Sequence, residues 1–183
     1  PTSWEDIKAD IQFTKQEKTY AVDSTGKSVG KMHKGFRAAL EDIWKELHSH
    51  YLYHGKGKQL LITGHSLGAA LATLYADRIS DPNSACYTFG SPRVGDKKLI
   101  KNMNFTCYRF RNNNDIVTRV PPEWIGYTHK SDELFYFDVD GIPRRGFNRW
   151  FMFMQWIKGT YRGLMRDKTW DAFADHSMGD YYN

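Results

Sequence analysis

Two rhythms of apolar residues alternate along this chain. In residues 35–51, "GFRAALEDIWKELHSHY", Phe36, Leu40, Ile43, Trp44 and Leu47 recur at three- and four-residue spacing, which predicts an amphipathic helix. After the breaker "GKGK" comes "QLLITG", residues 59–64, a short unbroken apolar run that predicts a buried strand. "SLGAALATLYADRI", residues 66–79, returns to helix formers, with small side chains on one face. The pattern then repeats: strand in "ACYTFGS" (85–91), helix in "GDKKLIKNMN" (95–104), strand in "TCYRFRN" (106–112), strand in "DELFYFDVD" (132–140). Upstream, "SWEDIKADIQF" begins with a serine cap and two acids and predicts a short helix, while "STGKSVGKM" (24–32) reads as a loop. Strands alternating with helices across short connections predict a largely parallel sheet covered by helices, an α/β fold.

The chain has 183 residues, 40% of them hydrophobic and 15% aromatic, enough for one domain with a real core and too many for a disordered segment. Twenty-six Lys and Arg against 21 Asp and Glu leave a formal charge of +5, a mild excess that suits an anionic surface and is too small to imply nucleic acid. No apolar run approaches the ~20 residues of a membrane-spanning helix. Neither zinc-type His/Cys spacing nor a calcium loop occurs, so no metal or cofactor is expected. Cys86 and Cys107 fall in predicted strands and are expected as buried free thiols, a disulfide being the alternative. The compartment stays open, with a secreted or membrane-peripheral one favoured.

Candidate chemistry begins at "TGHSLGAALA". Gly64-His65-Ser66-Leu67-Gly68 fits G-x-S-x-G between a predicted strand and a predicted helix, where a sharp turn lifts a serine hydroxyl above the sheet edge. The two glycines are expected because side chains there would strike the neighbouring strand and helix. The Leu67 amide sits where a carbonyl oxygen gains charge. A serine needs a base and the base an orienting carboxylate. Asp115, ending "TCYRFRNNND", is the expected acid, and a turn-capping role is its bland alternative. Asp171 and Asp175 read as solvated. Downstream histidines are His176, in "ADHSMGDYY", and His129, in "GYTHKSDE"; His176 is preferred because a late loop can swing back over the serine. The earlier histidines, His33, His48, His50, His54 and His65, read as surface, turn or packing residues.

Five stretches in order resemble one family, the fungal-type class 3 lipases of the α/β-hydrolase fold. They are "MHKGFRAAL", "TGHSLGAALA", "YTFGSPRVGD", "NNNDIVTRVPP" and "DHSMGDYY". The resemblance implies Ser66, Asp115 and His176 as nucleophile, acid and base, a lipid ester as substrate, and a mostly parallel sheet with helices on both faces. Residues 1–183 then form a single lipase-like catalytic domain lacking its N-terminal part. The family's Gly-Thr or Gly-Ser pair, source of the second oxyanion donor, falls upstream of Pro1, as do strands of the family's sheet. A missing N-terminal segment or second chain is therefore expected to complete the domain. A soluble carboxylesterase and a non-catalytic lipid-binding module of the same fold are the rival readings.

One stretch stands apart. In "GFNRWFMFMQWIKGTYRGLMRDKTW" (146–170) apolar residues, including Trp150, Phe151 and Met154, recur at helical spacing beside arginines and Lys158. It reads either as a core helix with a basic outer face or as a helix for contact with a membrane or lipid aggregate, and less readily as a protein contact. By resemblance the lid is the short first helix, whose Trp4, Ile7 and Ile11 would cover the serine.

Overall fold

The computed structural model describes residues 18–22, 26–166 and His176. Trp4, Ile7, Ile11 and the helix predicted to carry them lie outside the described residues, as do Asp171 and Asp175. Residues Lys18–Val22 (β1) and Ser28–His33 (β2) form an antiparallel pair. Helix α1 (Lys34–His50) ends in a π-helical turn, Tyr51–Gly55. The central sheet then alternates with helices: β3 (Leu60–His65), α2 (Leu67–Ile79), β4 (Ser84–Phe89), α3 (Lys97–Asn102), β5 (Thr106–Asn112), β6 (Glu133–Phe137) and β7 (Pro143–Arg144). Helix α4 (Arg149–Arg166) follows.

The sheet runs in the order β3-β4-β5-β6-β7, parallel from β3 to β6, with β7 added antiparallel. Successive strands without crossing put the carboxyl ends of β3, β4 and β5 side by side, and the loops after them converge there. Alternation of side chains divides each strand. In β4, Ser84, Cys86 and Thr88 are buried, while Ala85, Tyr87 and Phe89 are half-buried on the other face. On that second face the rings of Phe89, Phe110 and Phe135, register partners across three strands, stack at 4.7 Å spacings and lock the register near the carboxyl ends.

Two expectations change. Residues 28–32, expected as loop because of their Gly and Ser content, form strand β2 together with His33. Its backbone is fastened by side chains of α3: Lys98 Nζ donates to the Ser28 carbonyl and Asn102 Nδ2 to that of Val29, each at 2.9 Å. Strand β3, expected to be buried on both sides, is the edge of the described sheet, and Leu61 is 60% exposed on it. The predicted apolar face of α1 is correspondingly split. Phe36 and Leu40 are buried, but Ile43 and Leu47 border a cavity of about 550 Å³ shared with Leu61, Ile62, Leu71 and Tyr75 along that edge.

The core gathers Phe36 and Leu40 of α1, Ala70, Leu74 and Ala76 of α2, Cys86 and Cys107. The small residues of α2 let it sit close on β3 and β4, which is what their one-sided placement in the sequence predicted. Cys86 and Cys107 are in-register neighbours on β4 and β5, both buried and both free thiols.

His33 starts α1. Its Nδ1 accepts the Phe36 amide at 3.3 Å, its ring stacks on that of Phe36 at 4.2 Å, and the residue is fully buried. Burial brings its pKa from 6.5 down to about 4. Between those values the unfolded chain binds a proton that the folded chain refuses, so stability falls as pH drops through this window, by roughly 3 kcal/mol at its lower end. His33→Asn keeps an N-cap acceptor without titrating in this range. Its melting temperature should therefore fall less than the wild type's between neutral pH and about pH 5; equal slopes would remove His33 from the account.

Candidate active site

Ser66 sits between β3 and α2 with φ 55° and ψ −124°, a positive φ that a non-glycine residue rarely holds. Neighbouring backbone pins it there. Its N–H donates to the Phe89 carbonyl at the end of β4 at 3.0 Å, and its own carbonyl accepts the amides of Ala69 and Ala70 in the first turn of α2. Gly64 is dictated by close approach: a Cβ there would lie 2.3 Å from the Gly68 carbonyl oxygen. The close approach expected at Gly68 is not seen among the described residues, where a Cβ on it meets nothing within 4 Å beyond its own helix. Gly68 matters as the backbone that Gly64 touches.

From this turn a chain of three side chains runs inward. Ser66 Oγ and His176 Nε2 are 2.8 Å apart, and His176 Nδ1 lies 3.0 Å from Asp115 Oδ1. Asp115 is fully buried at the end of β5, and its Oδ1 also accepts the Val117 amide at 2.9 Å. With Nδ1–H donated to Asp115, Nε2 of the neutral ring is left to accept the serine proton. Of the two candidate histidines it is His176 that reaches Ser66. His129 is bound elsewhere, its Nε2 2.8 Å from the Thr118 carbonyl oxygen. Burial, then the charges of Arg109 and Arg93, hold the His129 ring neutral with a pKa well below 6.5.

Two residues of this site carried no chemical role in the sequence. Gly90, just after β4, has φ 58°, and a Cβ on it would stand 2.8 Å from Asp115 Oδ2 and 3.0 Å from the His176 ring. Only glycine lets the acid and histidine meet at this point. The signal was present in "YTFGS", a glycine ending an apolar strand. The second is His65. Its ring stacks on that of His176 at 4.6 Å and 28°, and its Nε2–H donates to the His176 carbonyl at 2.8 Å. Burial, and then the neighbouring His176 charge, lower its pKa.

The loop after Asp115 is tied down by Arg93, whose guanidinium donates to the carbonyls of Arg119 and Pro121 and pairs with Glu123 at 2.8 Å. Among the described residues no group of three or more His, Cys, Asp or Glu could hold a metal ion. Of the expected lipid-contacting residues, Trp150 and Met154 are exposed on α4. Phe151 is not: it is half-buried, with its ring edge-on to that of Tyr136.

His65 acts through His176 as a positioning residue, which makes two partial replacements informative. His65→Gln retains a donor without the stack, and His65→Phe retains the stack without the donor. Each should lower kcat about 10-fold at unchanged KM, the worth of one lost hydrogen bond or ring contact in a buried site. A rise in KM at constant kcat would show that His65 does not act on His176.

Three comparisons bear on this geometry. The family model described as Lipase (class 3) matches residues 2–124, which includes Ser66 and Asp115 and stops short of His176. A lipase of Rhizomucor miehei is 34% identical over 126 residues, 62% of this chain and 34% of that protein. Secreted mono- and diacylglycerol lipase A of Penicillium cyclopium is 38% identical over 105 residues, 55% of this chain and 34% of its own length. The chain thus spans about a third of these relatives. The structure of the Rhizomucor miehei lipase propeptide complex superposes with a TM-score of 0.58 at 29% identity, covering 68% of this chain and 44% of that one. With a family match over most of its length and the strand order of an α/β-hydrolase sheet, the chain belongs to the class 3 lipase family.

Proposed function

We propose that the chain carries the nucleophile, base and acid of a serine hydrolase that cleaves carboxylic esters of lipids, acylglycerols or glycerophospholipids. The observation that supports this most is the continuous hydrogen-bonded line from Ser66 Oγ through His176 to Asp115. His176 Nε2 removes the hydroxyl proton as Oγ attacks the ester carbonyl. The resulting imidazolium is balanced by the Asp115 carboxylate, and the proton passes to the departing alcohol oxygen. The acyl group stays on Ser66 until a water, activated by the same ring, releases the fatty acid.

Negative charge on the carbonyl oxygen is met by the amide of Leu67, the first residue of α2, reinforced by the helix N-terminus behind it. By family resemblance the second donor comes from a Gly-Thr or Gly-Ser pair upstream of Pro1, supplied by a preceding segment or a second chain. The names of the relatives support the substrate class, since they are lipases and, for Penicillium cyclopium, a mono- and diacylglycerol lipase. Contact with a membrane or lipid aggregate belongs to the same reading.

Hydrolysis of dispersed diacylglycerol and phosphatidylcholine, followed as free fatty acid, tests this proposal. Ser66→Ala should cut kcat by ~1,000,000-fold, and Asp115→Asn should cut kcat by up to ~10,000-fold through loss of the correct His176 tautomer. Undiminished hydrolysis by Ser66→Ala would overturn it.

A further inference from the structure

Helix α4 is seated in an unusual way for a surface helix. The side held against the protein carries Phe151, Gln155 and Gly159, with the polar Gln155 only 6% exposed and its Oε1 accepting the Val139 amide at 3.2 Å. A second tie runs from Asn114 Nδ2 to the Trp156 carbonyl at 3.4 Å. The arc turned outward is the apolar one. Trp150 is 68% exposed, Tyr161 63%, Phe153 47%, and Trp156, Ile157 and Met154 follow. The polar residues with described side chains on that arc are Thr160, whose hydroxyl bonds back to the Trp156 carbonyl, and Lys158. An ordinary amphipathic helix would bury this set and expose its glutamine.

We infer that α4 is a docking surface for an anionic lipid bilayer or aggregate, lying in the headgroup layer with its aromatic arc inserted. Charge complementarity selects this occupant. Across Arg149–Arg166 the sequence contains Arg149, Lys158, Arg162 and Arg166 and no Asp or Glu, on a chain of formal charge +5. Tryptophan and tyrosine with interspersed cations suit an interface where apolar and phosphate surfaces meet. The position also serves the site. Asn114, which holds the helix, is the neighbour of Asp115, so the docked helix would set the loop at the carboxyl end of β5 against the lipid. That last point rests on the proposed lipid-ester reading; the docking itself does not.

The test uses the full chain bearing Ser66→Ala, so that lipid is bound and not cleaved. Sedimentation with vesicles of phosphatidylcholine, alone or mixed with phosphatidylglycerol, reports the partition constant. The wild-type α4 should bind the anionic vesicles more tightly. Trp150→Ser with Trp156→Ser should weaken that binding at least ~10-fold, and Lys158→Glu should weaken it ~10-fold on anionic vesicles with little change on neutral ones. Trp124, 85% exposed in the short 3-10 helix Glu123–Ile125 and not part of α4, is the control: Trp124→Ser should bind as the parent does. These positions are exposed, so each variant should keep the parent's melting temperature, which separates lost binding from lost folding. Failure of the parent to sediment with either vesicle would overturn the inference. So would α4 variants that bind unchanged, equal loss in Trp124→Ser, or a dimer in solution that α4 substitutions break without any vesicle binding. Since none of these readouts depends on turnover, the inference can fail while the proposed hydrolase stands, and the reverse.

Discussion

A serine does not rest at φ 55° and ψ −124° by preference, and such backbone costs on the order of 1–3 kcal/mol. The structure supplies it from both sides. The Ser66 amide is bound to the end of β4, the Ser66 carbonyl is bound to the first turn of α2, and the absence of a Cβ on Gly64 lets that turn close. Everything downstream depends on this constraint. It points Oγ to the place where His176 can accept its proton, and it leaves Leu67 as the first residue of a helix whose amide is free of the preceding strand.

The second requirement is that three more elements deliver their residues to the same spot. Parallel strands in sequential order achieve this, because the ends of β3, β4 and β5 carry Ser66, Gly90 and Asp115 at neighbouring positions. The stacked Phe89, Phe110 and Phe135 rings hold these ends in register, and Gly90 leaves room for the acid to reach the histidine. His176 comes from much further along the chain and is held by groups already in place: Asp115 on one nitrogen, Ser66 on the other, and His65 by its ring and by the backbone carbonyl. The His176 ring thus lies between a buried carboxylate and the ring of His65, whose pKa burial lowers.

Much of this was legible in the sequence for local reasons. The period-3.6 and unbroken apolar runs gave α1, β3, α2, β4, α3, β5 and β6 within a few residues, and the order of Ser66, Asp115 and His176 followed from the turn and its chain order. What the sequence hid depends on contacts between distant segments. Strand β2 looks like a loop because of its Gly and Ser content; its ladder is with β1, and two of its carbonyls are fastened from a distance by Lys98 and Asn102 of α3. His65 looks like filler because its partner is 111 residues away. Strand β3 looks buried on both sides because its composition is that of a central strand, while the described sheet leaves one side open. Helix α4 is the reverse case: its periodicity was plain, but which face it would bury was not, and a buried glutamine and glycine decided it.

The central claim is that Ser66, His176 and Asp115 are assembled as a working nucleophile in this chain. A fluorophosphonate probe, whose phosphorus is attacked with loss of fluoride by a serine that has an active base, tests it by intact mass on the wild type and on Ser66→Ala. One adduct on the wild type and none on Ser66→Ala is the predicted result, at a rate lowered ~100- to 1000-fold if the Leu67 amide is the single oxyanion donor. An unmodified wild-type chain, or an adduct that survives Ser66→Ala, would contradict the account.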